Sequence, residues 1–183
     1  MTKRADGKFE RVDNDFYPTP EKAVLPLLQH LTPKTRFYEP CAGDGSLSQI
    51  LVENGHVCMG MSDKNPRSQF IVQKSIDEVR YKDLGSRLVE TTVITNPPWD
   101  RPTMHRLLNH FLCLAPMWLL LEADWLFTKQ SGPFMFSATD IVPIGRVRWI
   151  AGSAHDGFDN CCWVRFEMFL SDKPPTVFHP RTL

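Results

Sequence analysis

Apolar positions change their period several times along this chain, and each change predicts an element. Val24, Leu27, Leu28 and Leu31 recur at helical spacing after Thr19-Pro20-Glu21. There the threonine reads as an N-cap, the proline as a first-turn residue and the glutamate as a first-turn acid. Pro26 lies inside this helix and predicts a kink. Arg36 to Glu39 reads as a short strand running into Pro40-Cys41-Ala42-Gly43-Asp44-Gly45. A helix follows, with Leu47, Ile50 and Leu51 inward and Gly55 as its stop. His56 to Ser62 is a second strand closing at Asp63. Pro66 to Ile76 reads as a helix, Val79 to Tyr81 as a short strand, and Thr91 to Thr95 as a further strand.

Beyond Asn96-Pro97-Pro98-Trp99, residues Met104, Leu107, Leu108, Phe111 and Leu112 follow the spacing of an amphipathic helix with Pro102 near its start. Met117 to Leu121 is an apolar strand ended by Glu122 and Asp124. Arg146 to Ile150 and Cys162 to Phe169 read as strands joined by a polar, glycine-bearing loop, Ala151 to Asn160. Strand and helix alternate first, and two strands finish the chain. This order predicts an α/β fold: a mostly parallel sheet with helices on both faces and a C-terminal antiparallel hairpin. Residues 1–15 are polar and predict a loose arm, with residues 16–183 as a single domain.

Composition narrows the function classes. The chain of 183 residues is 42% hydrophobic and 23% charged, as globular domains are. No apolar run reaches the roughly 20 residues of a membrane span, and the charged start has no signal-peptide core, so a cytoplasmic location is expected. The five cysteines are odd in number and form no Cys-x-x-Cys, and the six histidines are scattered. No metal site is expected. Lys plus Arg and Asp plus Glu both total 21, so the net charge is zero. Neutrality counts mildly against a nucleic-acid partner, although between Lys129 and Arg165 the cations Lys129, Arg146, Arg148 and Arg165 slightly outnumber Asp140, Asp156 and Asp159.

Three features carry chemistry. Glu39 to Gly45 takes a strand through two near-adjacent glycines into a helix, which lets backbone approach a ligand and aims helix amides at it. A plain strand-to-helix turn would use the same residues, and Gly43-Asp44-Gly45-Ser46-Leu47-Ser48 lacks the third glycine of a dinucleotide fingerprint. Asp63, beside Lys64 at the end of the next strand, can accept both hydroxyl hydrogens of a ribose. Asn96-Pro97-Pro98-Trp99 follows a strand at the sheet's carboxyl edge. A planar amino group such as adenine N6 is a poor nucleophile because its lone pair is delocalised. Accepting both its hydrogens, at the Asn96 side-chain oxygen and the Pro97 carbonyl, frees that pair. Two prolines hold the acceptors rigid, and Trp99 offers a face for an extruded base.

Together these residues resemble the class I S-adenosylmethionine-dependent amino-methyltransferases, specifically the DNA adenine-N6 group, over roughly residues 16 to 125. Phe16-Tyr17-Pro18-Thr19-Pro20 is similar to that group's N-terminal motif, which places Tyr17 and Thr19 beside the cofactor's methionine end. Glu39, Cys41, Gly43 and Gly45 match its glycine motif. Asp63 and Lys64 match its ribose-binding end, and Lys82-Asp83-Leu84 its adenine-contacting element. Asn96 to Trp99 match its catalytic tetrapeptide, in the motif order of the gamma subclass.

The resemblance implies a Rossmann-like sheet, S-adenosylmethionine as cofactor and DNA as partner. It also implies a second base-stacking aromatic between the last two strands, for which Phe158 is the first candidate and Trp163 the second. The stretch after Asp124 finishes the sheet and does little more, so a compact, phage-type enzyme of low sequence selectivity is expected. RNA adenine and protein glutamine remain alternative acceptors, because each presents a planar amino group. A catalytically silent binding module is the alternative from another class.

Overall fold

The computed structural model describes residues 17–85, 90–150, 152–153, 156–168, 172, 174–182. The arm expected over residues 1–15, and Phe16, lie outside them. Among the described residues eight strands form one sheet: β1 (Arg36–Glu39), β2 (Val57–Asp63), β3 (Val72–Gln73), β4 (Thr92–Thr95), β5 (Met117–Glu122), β6 (Ala138–Arg146), β7 (Asn160–Phe166) and β8 (Val177–Phe178). Their spatial order is β3-β2-β1-β4-β5-β7-β6-β8. The pairs β1–β2, β1–β4, β2–β3, β4–β5 and β6–β8 are parallel, and β7 runs antiparallel to both neighbours. The expected architecture is therefore present, with β7 inserted between β5 and β6 as the one reversed strand.

Helices cover both faces. On one, α1 (Glu21–Leu28) and α2 (Ser46–Glu53) bury Ala23, Val24, Leu27, Leu47 and Leu51 against Phe37, Ile94, Leu120 and Trp163. On the other, α3 (Arg101–Phe111) buries Met104, Leu107, Leu108 and Phe111 against Val93, Leu119, Leu121 and Val164. Asp100 caps α3 by accepting the Thr103 amide at 3.0 Å. Trp163 is fully buried and donates its indole N–H to the Ala23 carbonyl at 2.7 Å, which pins α1 to the sheet. Truncating such a residue to alanine costs about 3–5 kcal/mol. A four-residue helix α4 (Gly132–Met135) lies between β5 and β6.

The expected helix over Pro66 to Ile76 is not formed. The Arg67 amide donates to the Gly43 carbonyl at 2.8 Å, which draws the chain back to the glycine turn, and Val72–Gln73 then pairs with β2. Consecutive Phe70, Ile71 and Val72 suit an edge strand and not one helical face. The expected strand Val79 to Tyr81 is also absent. It spans the junction of two 3-10 turns, Ile76–Glu78 and Tyr81–Leu84. Each is closed locally: Glu78 accepts the Ser75 amide, and Asp83 accepts the Arg80 amide.

The last strands also shift. The strand expected over Arg146 to Ile150 ends at Arg146 and starts at Ala138. Asp140, Pro143 and Gly145 hid it, and the ladder tolerates them because its register slips between Ala138 and Asp140 and between Pro143 and Gly145. The strand expected over Cys162 to Phe169 runs from Asn160 to Phe166, and Phe169 lies outside the described residues. Among the described residues no helix is long and apolar enough to cross a membrane. Nor do their His, Cys, Asp and Glu side chains form a group able to hold a metal ion.

Candidate active site

Because β1, β2, β4, β5 and β6 run the same way, everything after their last residues gathers at one edge. The winding reverses between β1 and β4, which opens a crevice there. Glu39 ends β1 and is buried, accepting the Ser48 hydroxyl at 2.5 Å. Burial pushes its carboxyl up to about 8, against the opposing pull of the Ser48 hydrogen bonds, so the group is largely protonated at neutral pH. Gly43 and Gly45 then adopt φ of 57° and 90°, and Gly45 occupies the N-cap of α2. Left-handed backbone at both sites accounts for two glycines in three residues.

Asp63, at the end of β2, accepts the Gly43 amide at 2.8 Å through Oδ2 and the Asn65 amide at 2.7 Å through Oδ1. It thus ties β2 to the glycine turn. Each carboxylate oxygen keeps further lone-pair capacity, enough for the two hydroxyl hydrogens of a ribose. Next to it, Lys64, Asn65, Gln73, Lys74, Ser75 and Glu78 line an open depression. Asp83 forms a 2.8 Å ion pair with Lys74 at that margin. Burial raises the Asp83 carboxyl, but the Lys74 and Arg80 donors outweigh it and hold the group below its ordinary value. Leu84 is buried in the core under this margin, and Cys41 packs half-buried against the same cluster.

Asn96 is the first residue beyond β4. Its side-chain nitrogen donates to the Thr19 hydroxyl at 3.1 Å. Thr19 does not cap α1, contrary to the sequence expectation: Pro20 holds that position and no side chain caps the helix. Pro97 is buried and Pro98 exposed, and Tyr17 sits half-buried at the start of the described chain. Trp99 donates its indole N–H to the Leu120 carbonyl of β5 at 3.1 Å, so the tetrapeptide is fastened at both ends. Arg101 adds a 3.0 Å ion pair to Glu122.

Trp99 also meets Trp149, which the sequence did not single out. The rings meet edge to face with centroids 5.4 Å apart. Phe158, the first candidate, is 70% exposed, and Trp163 is a core residue facing α1. Trp149 was hidden by its assignment to a strand. It lies instead in the β6–β7 loop, which Arg146 and Asn160 place at the carboxyl edge.

No protein-family model and no curated protein sequence matches the chain. Solved structures do. A candidate RNA methyltransferase from Pyrococcus horikoshii superposes with a TM-score of 0.59 at 17% identity, covering 87% of this chain and 89% of that one. The E. cuniculi Mtq2–Trm112 complex, responsible for methylation of the termination factor eRF1, gives 0.56 at 12% identity over 84% of this chain and 98% of that one. A type I restriction-modification methyltransferase subunit from Streptococcus thermophilus gives 0.51 at 11% identity over 82% and 44%. The chain therefore has the fold of the class I methyltransferases.

Proposed function

We propose that this protein is an S-adenosylmethionine-dependent methyltransferase whose acceptor is the N6 amine of adenine in DNA. The observation that carries the reading is the position of Asn96-Pro97-Pro98-Trp99 at the crevice. The tetrapeptide begins one residue beyond β4, beside the glycine turn of β1, with the Asn96 nitrogen already engaged by Thr19. That engagement leaves Oδ1 as the free end of the amide. Oδ1 and the Pro97 carbonyl accept the two amine hydrogens, and Trp99 stacks on the base.

Asp63 and Lys64 hold the ribose end of the cofactor, and Asp83 and Leu84 flank its adenine. Glu39, Cys41, Gly43 and Gly45 line its middle, with Tyr17 towards the methionine. Bound there, the cofactor supplies an electrophilic methyl group on sulfur.

The test is methyl transfer from labelled cofactor to adenine-containing DNA, the matching RNA and a glutamine peptide. Label on DNA adenine N6 is expected, lost by on the order of a hundredfold or more in Asn96→Ala, with cofactor affinity retained. Label confined to RNA or to the peptide moves the acceptor to that polymer. Cofactor binding with transfer to none of them identifies a binding module.

A further inference from the structure

We infer that Thr19 is a positioning residue for Asn96: its hydroxyl receives the Asn96 side-chain nitrogen and so fixes which end of that amide meets the acceptor amine. This rests on the reading of Asn96 given above. An asparagine amide has a donor end and an acceptor end. Turned one way it accepts hydrogens from an amine; turned the other way it points N–H donors at N–H donors. In the productive orientation the nitrogen must find an acceptor of its own within a half-buried site, or its donors are left unpaired.

Thr19 is that acceptor, at 3.1 Å across 77 positions of chain. Its placement is stiff. Pro18 and Pro20 flank it, both limited in φ, and Thr19 is itself only 7% exposed. Immediately beyond, α1 is tied to the sheet by the Trp163 indole at Ala23. The hydroxyl makes no cap for α1, the role its sequence context suggests.

The experiment compares Thr19→Val, which keeps the shape and removes the hydroxyl, with Thr19→Ser, which keeps the hydroxyl. Thr19→Val should lower kcat by roughly tenfold to a hundredfold, the range of a group left unpaired. Cofactor affinity and acceptor KM should stay near wild type, and Thr19→Ser should recover most of kcat. The second readout needs no turnover. In the 15N-labelled full chain, the Asn96 side-chain amide is identified by its loss in Asn96→Asp. Its protons should exchange slowly in wild type and Thr19→Ser and faster in Thr19→Val.

Unchanged Asn96 exchange in Thr19→Val overturns the inference. So does unchanged kcat, or a loss confined to cofactor affinity, which would make Thr19 a cofactor contact. If the wild type methylates nothing but the exchange responds as expected, the functional reading fails and the Thr19–Asn96 coupling stands. Should Thr19→Val not fold, Thr19→Ala serves in the same comparison.

Discussion

The indole of Trp149 meets that of Trp99 edge to face, with ring planes at 84°. One ring belongs to the Asn96–Trp99 tetrapeptide and the other to the β6–β7 loop, so the contact joins two elements at the carboxyl edge of the sheet. The loop is closed behind Trp149 by the Gly157 amide, which donates to the Val147 carbonyl at 2.8 Å. Trp149→Ala should raise the acceptor KM by roughly tenfold, in line with one lost stacking contact, and leave cofactor affinity unchanged. Steady-state kinetics with separate titration of each substrate checks this. An equal loss of cofactor affinity would assign Trp149 to the fold.

Gly157 offers an independent probe of the same loop. A Cβ there would lie 2.9 Å from the Val147 carbonyl oxygen and 3.1 Å from Trp149 Cδ1. Backbone on one side and a ring on the other cannot both give way, so Gly157→Ala should displace Trp149. The variant is expected to share the acceptor defect of Trp149→Ala in milder form while melting close to wild type. A variant with wild-type KM would show that the loop absorbs the added carbon without moving the indole.

In the proposed reading, Asp63 serves cofactor and fold through one carboxylate. Its Oδ2 accepts the Gly43 amide, so Asp63→Ala removes both a ribose partner and the fastening of the glycine turn. Cofactor affinity should fall by tenfold or more, with a loss of stability of about 1–3 kcal/mol. Calorimetric titration and urea unfolding measure the two effects. Full cofactor affinity in a variant that still folds would remove the ribose assignment.

What the chain revealed about itself follows from how local each signal is. The glycine turn, Asp63 and the Asn96 tetrapeptide were legible because strand ends, glycines and prolines are local grammar. The central strands and α3 were equally clear in their periodicity. Trp149 was not, because Pro143 and Gly145 disguised β6, and its strand nature depends on pairing with β7 at one edge and β8 at the other. The role of Thr19 was hidden for a different reason. Its neighbours form a good helix start, and no local pattern announces a hydrogen bond to a residue 77 positions away. The two-residue β3 is likewise a product of pairing rather than of its own two residues.

Cysteine reactivity follows from burial. Cys161 and Cys162 are buried in β7, and burial pushes each thiol up to about 12, while Cys113 is exposed. In the native protein a thiol reagent at pH 8 should modify Cys113 rapidly and leave Cys161 and Cys162 intact until the chain unfolds. Peptide mapping of the alkylated protein distinguishes the sites. Rapid labelling of Cys161 in the folded protein would mean that β7 opens from the sheet far more readily than a central strand should.

Glu39 gives the fold a pH dependence whose sign is fixed by its burial. Its carboxyl titrates near 4.5 in the unfolded chain and is raised to about 8 in the folded protein, first by burial and then by the nearby Asp44 and Asp63 charges. Between those values the native state holds a proton that the unfolded state has released. Stability attributable to this residue therefore falls as pH rises from 4.5 to about 8 and levels off above it. Glu39→Gln removes the titration and keeps a neutral side chain able to accept the Ser48 hydrogen bond. Urea unfolding across pH 5 to 9 should then show wild type losing stability relative to Glu39→Gln by on the order of a few kcal/mol. The difference should grow through neutral pH and flatten above about 8. Parallel curves for the two proteins would mean that Glu39 ionises in the native state near its ordinary value, and the crevice would then carry a negative charge beside the glycine turn.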